Sequence, residues 1–185
     1  MINTENNYEK DLEWASKRSW DFEPMYKMIF DGHVRVPDDT PLQKEEHVDL
    51  LVCKDQKTMY LEEKMIRNDW EDIFVEVWST TKNGIGTRKG WFLHKYPAKI
   101  TALLHFAFPH SSVILDFKKF YKWASPQIID KTTTWRQHTM PSVNHSQGYL
   151  VPIADIPAEC WYQPTSGSAS YIKWHAQKEQ GRLRG

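Results

Sequence analysis

Cysteine is nearly absent. Cys53 and Cys160 are the two in 185 residues, far apart and each among apolar neighbours. They form no CxxC pair and no disulfide framework, which points to reduced, buried thiols in a cytosol-like compartment. Excess charge of either sign is missing as well: 24 Lys and Arg offset 24 Asp and Glu. The chain as a whole is therefore not drawn to nucleic acid or to an anionic membrane, although an acidic centre within a basic rim gives the same sum. No apolar run comes near the roughly 20 residues of a membrane-spanning helix. Residues 1–9 are polar and lack the apolar stretch of a secretory signal, so the expected location is cytoplasmic, with no membrane partner.

The length suits one domain, expected over residues 1–162, followed by a polar tail at 163–185. The tail is basic toward its end and reads either as a solvated terminus or as an arm for phosphates. Aromatic residues are plentiful, with nine Trp, eight Tyr and eight Phe. They can fill a core or offer stacking faces to bases.

Apolar spacing from Leu12 through Phe22, Tyr26 and Ile29 predicts a helix over residues 8–30. Pro24 either kinks it or starts a second helix after Asp21. Residues 33–36 read as a short strand. Residues 48–53 and 58–66 read as a hairpin about the polar turn 54–57, and residues 73–79 as a third strand. Residues 83–90, with Gly84, Gly86 and Gly90, read as a loop. Residues 95–108 read as a helix, with Ile100, Leu103, Leu104 and Ala107 on one face. A buried strand at 112–116 and a short helix at 117–124 follow. Residues 125–147 show little periodicity and read as a long loop, and 148–153 as a last strand. The order is helix, three-stranded meander, helix, strand (αβββαβ). It predicts an α/β fold, a mixed central sheet flanked by helices.

The hairpin holds the residues that matter chemically. Glu62 and Lys64 are two apart on one strand and so point the same way, and the hairpin brings Asp49 beside them. Phosphodiester hydrolysis needs an activated water and compensation for charge building on the phosphate. Hard divalent ions supply both and take oxygen ligands. Asp49 and Glu62 are the candidate ligands, and Lys64 the group that orients water or offsets charge. On the triplet alone, an ordinary charged hairpin with an exposed Glu–Lys pair fits as well. Glu63 falls on the opposite face, among Met59, Leu61 and Met65. Strict alternation would aim it into an apolar layer, so either the strand end is exposed there or a bulge shifts the phase; a bulge could make Glu63 the ligand, but the Glu-x-Lys spacing favours Glu62.

The surroundings add a resemblance. Gln43-Lys44, His47-Val48-Asp49, the run from Tyr60 to Arg67, Asp69 to Ile73, Val75 to Ser79 and Gly90-Trp91 together resemble a PD-(D/E)XK nuclease family of phages and bacteria. Gly148 to Ile153 recurs in such proteins too. The resemblance spans roughly residues 8–155, although Val48 stands where the family name has proline. It implies a PD-(D/E)XK-like core and a Mg²⁺- or Mn²⁺-dependent nuclease acting on DNA, more an endonuclease than not. Products with 5′-phosphate ends and a homodimer are further implications.

Asp49, Glu62 and Lys64 are then the catalytic candidates, with Glu76 on the next strand completing the metal shell of Asp49 and Glu62. Gln43, Lys44, Arg67, Lys82, Arg88 and Lys89 are the candidates for nucleic-acid contacts. Glu9 and Glu13 on the first helix would reach the metal as helical acids do in some members, and Trp78 and Trp91 either stack on a base or pack. Two rivals stand beside this reading: a catalytically silent nucleic-acid-binding module on the same fold, and a protein-interaction module using the Trp-rich surface. Other chemistries lack their motifs. No GK[ST] follows the glycines, the eight His show no zinc-binding spacing, and no nucleophile elbow appears. His138, Asn144 and His145 lack the strand-strand-helix frame of a His–Asn–His nuclease.

Overall fold

The computed structural model describes residues 22–66, 71–82, 85–94, 96–97, 99–108, 111–140, 145–162 and 171–172. Glu9, Glu13, Arg67, Asn144, the helix expected before residue 22 and most of the basic tail lie outside these residues. The fold is mixed α/β, with two sheets and few helices.

Helix α1 (Glu23–Ile29) begins with Pro24 in its first turn, where a missing N–H costs nothing. It thus starts at the proline rather than being kinked by it. Its apolar stripe, Met25, Tyr26 and Ile29, is buried. Strands β1 (Gly32–Arg35), β2 (Leu50–Lys54) and β3 (Lys57–Met65) form an antiparallel meander. A four-residue helix, α2 (Pro41–Lys44), sits between β1 and β2. The β2–β3 turn is Asp55-Gln56, both left-handed (φ 51° and 63°). This suits the right-handed twist of a two-residue hairpin.

The third strand of the expected meander belongs elsewhere. It exists as β4 (Asp72–Lys82), but pairs with β5 (Ile85–Lys89) and β9 (Gln147–Pro152) in a second sheet, which β8 (Arg136–Thr139) completes in the order β5-β4-β9-β8. Alternation in sequence marks a strand without naming its neighbour. Residues 85–89, read as loop, form β5, and residues 136–139, also read as loop, form β8. Both are short, largely exposed strands without apolar periodicity.

The largest correction concerns residues 95–108. In place of a helix stands β6 (Thr101–Ala107), parallel to β3 and antiparallel to β7 (Ser112–Asp116). Six of its seven residues are buried, so both faces are apolar and the alternation that marks a strand disappears. Helix α3 (Phe117–Ile129) follows, capped by the Asp116 carboxylate, which accepts from the Lys119 N–H at 3.1 Å. It runs past Pro126 to bury Ile128. The first sheet is completed by β10 (Tyr171–Ile172), giving the order β1-β2-β3-β6-β7-β10. No helix among the described residues is long and apolar enough to cross a membrane.

Two cores result. One face of the first sheet packs Leu50, Leu61 and Leu103 against α1. The other packs Leu104, Phe106 and Leu115 against Ile73, Val75 and Val151 of the second sheet and Phe120 of α3. Trp91 is 5% exposed in this second core, stacked on Phe120 at 6.5 Å, so it packs and offers no face to a base. A Cβ on Gly86 would meet the Trp78 ring at 2.1 Å, so Trp78 lies against that hairpin.

Candidate active site between the two sheets

The β2–β3 register, Leu50 opposite Leu61 through Lys54 opposite Lys57, continues to place Asp49 opposite Glu62. β3 runs without a bulge against both β2 and β6. Alternation therefore holds, and Glu62 and Lys64 share the face that looks toward the second sheet. Asp49 is fixed by its backbone: its N–H donates to Leu61 O at 3.0 Å and its carbonyl accepts from Val36 N–H at 2.8 Å. The preceding residue but one, His47, is left-handed (φ 53°), a bend that turns the chain from α2 into β2.

Glu62 is 4% exposed, and both carboxylate oxygens are held. Oε1 accepts from Lys64 Nζ, and Oε2 accepts from the Tyr96 hydroxyl at 2.6 Å. Asp49 Oδ2 accepts from the Glu63 backbone N–H at 2.6 Å, and Oδ1 has no hydrogen bond among the described residues. Burial, with the Glu62 and Glu63 charges behind it, raises the Asp49 pKa to about 6 against the opposing Glu63 N–H and Lys64. Burial lowers the Lys64 pKa, but Glu62, Asp49 and Glu76 outweigh it and hold the pKa above the ordinary lysine value.

Glu76 reaches this neighbourhood from the second sheet. A Cβ on Gly90 would meet the Glu76 carbonyl at 2.4 Å and its Cγ at 2.7 Å, so only glycine allows the approach. A register shift between Glu76 and Trp78 in the pairing with β9 lies beside it. Glu76 acts on Lys64, yet among the described residues no three His, Cys, Asp or Glu side chains converge into a metal-binding group.

Glu63 takes the opposite face, but not as a bare charge in an apolar layer. Arg35 Nη1 donates to its Oε2 at 2.7 Å and the Tyr26 hydroxyl to its Oε1 at 2.5 Å. Tyr26 also bonds His105 Nδ1 at 2.6 Å. Burial keeps His105 neutral, with its pKa lowered to about 3. Engaged on the α1 side, Glu63 is not a substitute for Glu62.

No family model, curated protein or solved structure matches this chain. The chemistry must be read from the side chains themselves. Their donor set suits a hard divalent cation. Two carboxylates face each other with one open oxygen, and the burial and repulsion that raise the Asp49 pKa are what such a cation offsets. Magnesium is typically held by one or two carboxylates, with water and substrate oxygens filling the rest.

The nucleic-acid candidates divide. Lys82, Arg88 and Lys89 are exposed on the β4–β5 hairpin with no ion pair among the described residues. Burial lowers the His47 pKa against Glu62, and His94, Lys64 and Arg88 add to the lowering. Gln43 donates its backbone N–H to Thr40 at 3.3 Å, and Lys44 pairs with Asp39 at 2.7 Å. Neither side chain contacts the carboxylates by hydrogen bond or ion pair.

Sequence reading passed over Tyr96, His94 and Glu46. His47 and His94 meet ring to ring at 4.9 Å, and His94 meets Tyr96 at 4.6 Å. The dense titratable run Glu45-Glu46-His47-Val48-Asp49 was a usable signal for the first part of this cluster. Nothing local marks Tyr96.

Proposed function

We propose that this chain is a divalent-metal-dependent nuclease of the PD-(D/E)XK type that hydrolyses phosphodiester bonds in DNA. The observation that carries the reading is the convergence of Asp49, Glu62 and Lys64 on one face of the β2–β3 hairpin, beneath the second sheet. The strand order gives support. After α1, the meander β1, β2 and β3 is followed, across a crossover, by β6 parallel to β3. The crossover carries β4 and β5 in place of the expected helix.

Asp49 and Glu62 would hold Mg²⁺ or Mn²⁺, which when bound polarises a phosphoryl oxygen and makes water a better nucleophile. The protein's own groups do the rest. Tyr96 fixes the Glu62 carboxylate. Lys64 stays charged beside it and can orient the attacking water or offset charge growing on the phosphate. The exposed cations of the β4–β5 hairpin flank the site and suit phosphate contacts.

Circular duplex and circular single-stranded DNA, incubated with Mg²⁺ or Mn²⁺, test the proposal. Nicking or linearisation that disappears with EDTA and in Lys64→Ala is expected, and a circular substrate identifies an endonuclease. Binding without cleavage on circular, linear and RNA substrates would point to the silent nucleic-acid-binding module instead.

A further inference from the structure

Beside the carboxylates lies a cavity of about 360 Å³ whose lining includes His94, Tyr96, Ile100, Phe117, Lys118 and Tyr121. Its size falls within the roughly 300–1,000 Å³ of small-ligand pockets. Tyr96 belongs to both places, since its ring lines the cavity while its hydroxyl donates to Glu62 Oε2 at 2.6 Å. The Tyr96 and Phe117 rings meet edge to face at 4.9 Å, and the Phe117 and Tyr121 rings lie 5.9 Å apart. Lys118 is exposed and has no ion pair among the described residues.

We propose that this cavity receives one unpaired nucleobase of the strand lying across Asp49 and Glu62, with Lys118 taking an adjacent phosphate. The inference rests on the nuclease reading and adds the substrate class, single-stranded or locally unpaired nucleic acid. A flat π-face suits aromatic walls, and stacking of this kind tolerates any base. The cationic rim suits the phosphate that every nucleotide carries. A base paired within a duplex has to leave its stack to enter a walled cavity. The Tyr96 side chain reaches from the cavity wall to Glu62, so an occupant places its own phosphate near the carboxylates.

The test uses the full chain in EDTA, titrated by ligand-observed NMR with deoxyadenosine 5′-monophosphate, deoxyadenosine and 2-deoxyribose 5-phosphate. The nucleotide is expected to bind at least about fivefold more tightly than the sugar phosphate, the lower end of what one stacked base contributes. Ile100→Trp fills the cavity and Tyr121→Ala removes a wall. Each is expected to weaken the nucleotide about tenfold or more, and either suffices if the other fails to fold. Lys118→Ala is expected to weaken the nucleotide and leave the nucleoside unchanged. Equal affinity for nucleotide and sugar phosphate, or unchanged binding by folded Ile100→Trp, overturns the proposal. Cleavage, measured on the same preparations with Mg²⁺ in place of EDTA, separates the two readings. Wild-type cleavage without nucleotide binding strikes the pocket alone. Cavity-dependent binding without cleavage strikes the nuclease and leaves a nucleotide site.

Discussion

Asp49 sets the electrostatic character of the site. Its folded pKa, about 6, lies above the ordinary 3.8. The folded state therefore holds a proton that the unfolded chain releases earlier. The stability this contributes is complete below about pH 4 and is lost as pH rises through about 6. Ionised Asp49 then costs about 3 kcal/mol at neutral pH, from about two pKa units at about 1.4 kcal/mol each. Asp49→Asn keeps an oxygen for the Glu63 N–H and removes the charge. Denaturation is expected to show this variant more stable than wild type at pH 7.5 and indistinguishable at pH 3.5. Added Mg²⁺ should raise the wild-type Tm and leave that of the variant unchanged. Tyr96→Phe is the complementary case. It strips a donor from the buried Glu62 carboxylate, with an expected loss of about 1–3 kcal/mol in stability. Cleavage, corrected for folded fraction, should fall further than that loss explains.

At the scale of elements, what the sequence reveals depends on how local the information is. The β2–β3 hairpin is legible because its strands are adjacent and its polar turn is short. Asp49, Glu62 and Lys64 are legible with it. β7 and the start of α3 are legible for the same reason. β6 is not, because a strand buried on both faces has the composition of a buried helix, and its partner β3 lies across a long crossover. Tyr96 precedes β6 and inherits that obscurity. The fate of Glu63 was equally hidden, since its partners Arg35 and Tyr26, and the His105 that bonds Tyr26 in turn, come from β1, α1 and β6. That network ties four elements together behind the face that carries Glu62 and Lys64. Glu63→Ala is expected to cost about 2–4 kcal/mol, below the about 3–5 kcal/mol of a fully buried pair because Arg35 is partly exposed. Urea denaturation measures it, and the response to Mg²⁺ should survive in the folded fraction. The β4–β5 hairpin behaves oppositely. Replacing Lys82, Arg88 and Lys89 by Ala should leave Tm unchanged and weaken DNA binding. The slope of affinity against salt is expected to fall by about 2–3, near one unit for each phosphate that is no longer neutralised.

For the molecule as a whole, the α/β class is readable from the alternation of apolar patterns, and the division into two sheets is not. That division decides the site, because the second sheet roofs Glu62 and Lys64 and brings Glu76 to them from above. A neutral net charge conceals the same arrangement, with carboxylates at the centre and exposed cations on the hairpin beside them. The claim that this arrangement is a metal-dependent phosphodiesterase centre is tested most directly by the cleavage rate on circular DNA with Mn²⁺. The proteins to compare are wild type, Asp49→Asn, Glu62→Gln and Lys64→Ala, each confirmed folded by circular dichroism. Cleavage is expected from wild type alone and is abolished by EDTA. Each variant should be slowed by at least about a hundredfold, as follows when one group that acts in the transition state is removed. Cleavage that persists in Glu62→Gln and Lys64→Ala, or in the presence of EDTA, would contradict the claim.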